Sequence, residues 1–170
     1  MRIEAYAGQH LTLHEARQWA TELRLAGKRL VVTNGCFDLL HVGHVRYLAA
    51  ARALGDALLV GVNSDAGTRA LKGPGRPVAP QEDRTKVLLA LRAVDAVVIF
   101  DEPTAGALLE ALRPPIYAKG GDYALAGAGQ GTPLPEEPIV RAYGGEIHLI
   151  PYLEGRSTSA LLTRIRDAFG

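Results

Sequence analysis

Between Asp56 and Asn63 the chain reads DALLVGVN, an apolar run with one polar residue at each end. A strand with one face in water alternates polar and apolar residues. A near-continuous apolar strand must be covered on both faces, as in a parallel sheet lying between helices. Shorter runs at 28–33, 96–100 (AVVIF), 115–119 (PIYAK) and 146–151 supply four more strands. Helical patterns fall between them: 42–54, a short piece up to Lys72, 80–94, 104–112 and a short one around 139–143. Another helix, 13–26, precedes the first strand, and the last, 157–169, follows the fifth. Thr12 with Glu15 matches a capping box for the first helix, Pro80 suits a first helical turn, and Thr104 is placed to cap the helix that follows it. This alternation, without internal repeat or domain linker, predicts a single-domain α/β fold: a doubly wound, parallel, five-stranded sheet with helices on both faces.

Composition narrows the setting. A chain of 170 residues with net charge +1 gives no reason to expect a nucleic-acid or anionic-membrane partner, so any anion chemistry must be local. No apolar run reaches the length of a membrane span, and the first twenty residues lack a signal-peptide core. One cysteine, Cys36, excludes an internal disulfide framework. A cytoplasmic enzyme or binding domain is the expectation.

In such sheets ligands bind beyond the carboxyl ends of the strands. Loops 34–44, 63–77, 119–123 and 152–158 all follow strands and should converge. The first is the richest. From Val31 the sequence runs VVTNGCFDLLHVGHVRYLAA: a strand, a break at Asn34-Gly35, then a helix from about Val42. The N–H groups and positive dipole end of that helix favour an anion. Gly43 lets a phosphate approach the backbone, and His41 and His44, three residues apart, share one helix face. The residues therefore point to a phosphate site. A metal site built on Cys36, His41 and His44 matches no usual zinc spacing and lacks an evident fourth ligand. A Cys-His nucleophile is conceivable, although a thiol directly after a buried strand is more often plain packing.

Two of the four lysines, Lys72 and Lys119, stand beside glycine at loop edges, in LKGPGRP and AKGGDY. Arg156-Ser157-Thr158-Ser159 opens the last helix, where hydroxyls can both cap the helix and hold an anion. Residues 124–138, ALAGAGQGTPLPEEP, read as a mobile loop. The GAGQG within it lacks the spacing of a dinucleotide fingerprint, and no phosphate-loop motif ending in Gly-Lys-Ser/Thr occurs.

The segment Asn34-Gly35-Cys36-Phe37-Asp38-Leu39-Leu40-His41-Val42-Gly43-His44 resembles the His-x-Gly-His motif of the cytidylyltransferase-like nucleotidyltransferases. LKGPGRP, KGGDY and RSTS further resemble segments of the adenylyltransferases that act on heptose 1-phosphate. The likeness runs from Lys28 to the C-terminus and implies a transferase domain at 28–170 behind an N-terminal helical extension at 1–27. It implies that a sugar 1-phosphate oxygen attacks the α-phosphorus of ATP and that pyrophosphate leaves. His41, His44 and Lys72 would be catalytic. Asn34, Gly35, Cys36, Phe37, Gly43, Arg84, Lys119, Gly121, Asp122, Arg156, Ser157, Thr158 and Ser159 would bind the nucleotide. Asp38 and Asp65 would order the site, and Arg76 is a further candidate. Mg2+ is expected on the phosphates and water, with no protein metal ligands, and the N-terminal helix could mediate a homodimer. Two alternatives stay open: a cytidylyltransferase for glycerol 3-phosphate or another polyol phosphate, and a nucleotide-binding regulatory module that no longer catalyses transfer.

Overall fold

The structure, a computed structural model, describes residues 8–121, 123–126, 131–151, 153, 155 and 157–169. Its elements are β1 (Gln9–His10), α1 (Leu13–Leu25), β2 (Leu30–Gly35), α2 (Val42–Arg52), β3 (Ala57–Asn63), α3 (Asp65–Lys72), α4 (Gln81–Leu89) and β4 (Ala96–Phe100). They continue with α5 (Gly106–Leu112), β5 (Ile116–Gly120), β6 (Tyr123–Ala124), β7 (Thr132–Pro133), α6 (Glu137–Ala142), β8 (Glu146–Ile150) and α7 (Thr158–Phe169).

The main sheet is parallel, in the order β1-β4-β3-β2-β5-β8. The five expected strands are present, and a sixth, β1, lies along the edge at β4. Its two polar residues are too few to show any periodicity, so only pairing defines it. Every residue of β3 is buried, as its uninterrupted apolar run requires. One face of the sheet packs Ala16 and Ala20 of α1, Leu108, Leu109 and Leu112 of α5, and Val140 of α6. The other packs Leu48 and Ala51 of α2 with Leu88 and Leu89 of α4.

The order in which strands are added reverses between β2 and β5: from β2 the chain builds β3 and β4 on one side and then β5 and β8 on the other. Strands β2 and β5 are parallel and in register through Val31–Ile116 and Val32–Tyr117. A crevice outside the carboxyl ends of the strands at such a switch point is where open α/β sheets take their ligands. The Thr12–Glu15 capping box forms with both of its reciprocal bonds.

Three local expectations are corrected. The helix expected at 80–94 is regular only over Gln81–Leu89, with Pro80 as its N-cap. Thr104 does not cap α5; the cap position is Ala105, whose amide donates to Glu136 Oε1 at 3.1 Å, from a segment thirty-one residues away. The segment read as a mobile loop is partly built into the domain. Tyr123–Ala124 pairs with Thr132–Pro133, Leu134 enters the core, and Glu136 and Glu137 are buried at the start of α6. Its proline and glycine content conceals anchoring by single buried side chains.

Leu59 lies wholly inside the face beneath α1 and α5. Leu59→Ala should lower unfolding free energy by about 2–5 kcal/mol, the range for a cavity in a close-packed core. Urea denaturation measures it, and a loss well under 1 kcal/mol would contradict this packing.

Candidate active site

The loop joining β2 to α2 is held in an unusual conformation. Phe37 adopts φ 47° although it is not glycine, a strained backbone persisting where surrounding contacts over-determine it. Its ring is buried and lies 5.4 Å from that of His44. Gly35 makes room for it: a Cβ there would stand 3.0 Å from the Phe37 ring.

His41 is the N-cap of α2, and its Nδ1 accepts from the Gly43 amide at 3.1 Å. An accepting Nδ1 places the ring proton of neutral His41 on Nε2. The two imidazoles stand 4.0 Å apart, centroid to centroid, at a tilt of 33°. Burial, and secondly the neighbouring His41, lower the pKa of His44 to about 4. His44 Nδ1 is buried without a hydrogen-bond partner among the described residues. The first amides of α2 are largely used by the cap, Gly43 donating to His41 Nδ1 and both His44 and Val45 to the His41 carbonyl. The buried orphan His44 Nδ1 is therefore the group there that suits a ligand supplying acceptors.

Three other loops reach this one. Asp38 binds the 73–79 segment: Oδ2 meets Arg76 Nε at 2.5 Å, and Oδ1 accepts from Val78 and Ala79 amides at 2.7 and 3.0 Å. Burial alone would raise the Asp38 pKa, but the two amides and Arg76 together bring it below the usual carboxylate range. At the head of the last helix, Thr158 Oγ1 donates to Leu39 carbonyl at 3.4 Å, and Ser157 Oγ accepts from Ala160 amide at 3.1 Å. Ser159 is exposed in the first turn of α7. From β5, Lys119 Nζ donates to Asn34 Oδ1 at 2.9 Å, and Tyr117 Oη donates to the same oxygen at 2.7 Å. Gly120 lies against Tyr47, whose ring a Cβ would meet at 2.9 Å, and Gly121 has φ 125°. Cys36 Sγ reaches Asn63 Oδ1 at 3.8 Å, joining the loop to the end of β3.

Lys72 ends α3 with its side chain in solvent. Asp122 and Arg156 lie outside the described residues.

Arg84 requires correction. Its side chain is completely buried; Nε donates to Ala79 carbonyl at 3.0 Å, Nη2 pairs with Asp65 at 2.8 Å, and Nη1 donates to Cys36 carbonyl. The guanidinium is occupied by the protein, so Arg84 fixes the loop rather than touching phosphate. Asn63, Tyr47, Tyr117, Tyr123 and Glu136 also belong to this region and carried no sequence signal. Their partners are set by the tertiary fold, among them the Cys36 thiol, the Asn34 amide, the Ala118 carbonyl, the Ala105 amide and the Lys119 ammonium.

A model of the family described as cytidylyltransferase-like matches residues 32–142, which contain the loop, both histidines, Lys72 and Lys119. The chain belongs to the cytidylyltransferase-like family. Among its relatives is a protein of Geobacter sulfurreducens named bifunctional protein HldE, 50% identical over 144 residues, 85% of this chain and 28% of the relative. A bifunctional protein HldE of Streptomyces coelicolor is 53% identical over 148 residues, 87% of this chain and 31% of that protein. The chain thus spans under a third of the length of these relatives. A similar solved fold is that of a lipopolysaccharide core biosynthesis protein of Thermoplasma volcanium, with TM-score 0.60 and 24% identity over 75% of this chain and 98% of that one. The pantoate-beta-alanine ligase of Francisella tularensis, solved with an ATP analogue and beta-alanine, has TM-score 0.58 and 12% identity over 90% of this chain and 69% of that one. Both likenesses concern the fold.

Two outcomes follow from the geometry. Arg84→Met should destabilise by about 3 kcal/mol, the low end for a broken buried pair, because Asp65 keeps contact with water; chemical denaturation reads it, and a neutral result would remove Arg84 as the fastener. His44 takes a proton near pH 6.5 when unfolded but only near pH 4 when folded. Its contribution is therefore fully present above pH 6.5 and is lost as pH falls from about 6.5 towards 4. His44→Asn should show a shallower fall in urea midpoint across that window, and parallel curves would contradict a buried neutral His44.

Proposed function

We propose that this chain is a nucleotidyltransferase that moves AMP from ATP to a sugar 1-phosphate, with heptose 1-phosphate as the acceptor. One arrangement carries the reading: two adjacent imidazoles, tilted by 33°, at the capped N-terminus of α2, beside the switch point of the sheet and tied through Leu39 to the serine- and threonine-rich head of α7. The heptose acceptor is supported by the likeness of LKGPGRP and KGGDY to the heptose 1-phosphate adenylyltransferases.

In the reaction, an oxygen of the sugar phosphate forms a bond to the α-phosphorus of ATP as the bond to the bridging β-phosphate oxygen breaks. Pyrophosphate leaves with that electron pair. The nucleophile is already an anion near neutral pH, so no strong base is needed and the protein's work is positioning and charge stabilisation. His41 would donate from Nε2, where its cap bond to Gly43 places the proton. A neutral His44 lets the ATP polyanion enter without a fixed buried charge, and the incoming negative charge then favours its protonation. Lys72, on its exposed stem, would reach the transferring phosphates. Gly121, Asp122, Arg156, Ser157, Thr158 and Ser159 would complete the nucleotide cradle. Mg2+ would enter as part of the ATP substrate. Asp38 in the loop and Asp65 at the start of α3 are each bound to an arginine, in keeping with a metal carried by the phosphates. The lone Cys36 supports a cytoplasmic setting. Apolar Ile165 and Phe169, exposed on α7, support a homodimer.

Pyrophosphate release with Mg2+ tests the reading, crossing ATP and CTP against heptose 1-phosphate and glycerol 3-phosphate. Release with ATP and heptose 1-phosphate alone is expected. In the same assay His44→Ala should lower kcat by roughly 10²-fold or more, as for loss of a transition-state donor. Release only with CTP would replace the nucleotide in this reading, and no release with any pair would overturn the activity.

A further inference from the structure

Lys119 is the one buried lysine of the chain's four. Its ammonium lies on the face of the sheet opposite α2, at the carboxyl end of β5. Lys119 and Tyr117 both donate to Asn34 Oδ1. With its oxygen so occupied, the Asn34 amide can be assigned: the NH2 group takes the other side. Asn34 has room there because its neighbour across the sheet is Gly61, where a Cβ would stand 3.3 Å from that of Asn34.

The counter-charge comes from beyond the sheet. Glu136, at the start of α6, is 2% exposed and Lys119 8%. Glu136 Oε1 lies 4.0 Å from Lys119 Nζ and accepts from the Ala105 amide, while Oε2 is buried without a partner among the described residues. Either charge alone would be expensive in such surroundings. We propose that Glu136 is a positioning residue for the transfer site: its buried carboxylate holds Lys119 in the ammonium form, and Lys119 in turn fixes the Asn34 amide at the start of the histidine loop. Its catalytic consequence rests on the function proposed above.

Among the described residues, Lys119 faces few titratable groups. Tyr117 comes from its own strand and Tyr123 from β6, their rings 5.8 and 5.3 Å from Nζ. Cys36 approaches from the β2–α2 loop and Glu136 from α6. Glu137, the next residue, turns away to the Ala126 amide and Arg141. Burial lowers the pKa of Lys119, and Glu136 is the largest influence opposing that fall. Tyr117 is held protonated, burial first and the Glu136 charge second pushing its phenol well above the usual range. Neutralising Glu136 therefore removes the largest influence that opposes loss of the Lys119 proton. A deprotonated Lys119 amine carries a lone pair and can accept from Tyr117, releasing Asn34 Oδ1 and with it the orientation of the amide.

Glu136→Gln keeps the shape and the acceptor for Ala105 while removing the charge. Pyrophosphate release should be followed from pH 6 to 10 in both proteins. The alkaline limb of kcat/KM should move down by about one pH unit or more, a tenfold change in the proton equilibrium, with a much smaller loss at pH 6.5 than at pH 8.5. A loss equal at every pH, or an unmoved limb, would overturn the proposal. Lysine-13C protein gives a readout independent of turnover, since the Cε shift reports protonation and Lys119→Met assigns the signal. The Lys119 midpoint should fall in Glu136→Gln; an unchanged midpoint overturns the proposal even if activity drops. Should the glutamine variant fail to fold, Glu136→Asp, which retracts the charge, must lower the midpoint by a smaller amount, and no movement overturns the proposal equally. Absence of turnover in the parent protein, with the shift in midpoint intact, would refute the activity and leave the coupling standing.

Discussion

A guanidinium with no solvent exposure sits beneath the β2–α2 loop, and the loop's shape depends on it. Arg84 links Cys36 of the β2–α2 loop, Ala79 of the segment before α4, and Asp65 at the start of α3. A buried charge is tolerable only with its partners in place. The three segments must therefore assemble together or not at all. Asp38 repeats the device in reverse sign, a buried carboxylate drawing in Arg76 and two amides from the segment that Arg84 grips at Ala79. Between them the two residues define where Phe37 must turn through a positive φ, and hence where His41 and His44 begin their helix.

The electrostatics at the mouth follow from that assembly. The ionic side chains that organise the loop are paired within the protein, and the ring closest to the core, His44, is neutral near pH 7. Under the proposed function, what the site would offer an anion is mainly oriented donors: the His41 Nε2 proton set by the cap bond, the orphan His44 Nδ1 and the Ser157 hydroxyl at the head of α7. Preorganised donors of this sort need no rearrangement when charge develops on a phosphate, which is how such groups accelerate transfer.

Much of this was legible in the sequence. The unbroken apolar run of β3 required a sheet covered on both faces, and the capping box at Thr12 formed as its spacing implies. His41 and His44 could be placed at a helix N-terminus because the break at Asn34-Gly35 and the helical pattern after Val42 bracket them. The reading of Arg84 as a nucleotide contact rests on the resemblance alone, and its actual acceptors include two carbonyls, groups every residue carries, so no local pattern marks them. Glu136 was hidden for a related reason. It follows a glycine- and proline-rich stretch, where composition argues for a loop, and its burial arises from contacts with Ala105 and Lys119 that no local pattern records. Buried polar residues held by distant backbone are the class that sequence periodicity cannot find.

The strand β2 explains why one site needs two such systems. Successive strand residues point to opposite faces. Thr33 meets Tyr47 of α2 at 2.5 Å on the histidine side, and Tyr47 in turn donates to the Ala118 carbonyl at 3.2 Å. Asn34 meets Tyr117 and Lys119 on the other face. The end of β2 is thus clamped from both sides by tyrosine hydroxyls, each tied to β5. A shift of one residue in register would exchange the two side chains and break both clamps. The mouth of the site is thus tied by side-chain bonds into the sheet, although it is built from loops. The imidazoles, the Asn34 amide and, through Leu39, the head of α7 are thereby gathered around the carboxyl end of β2.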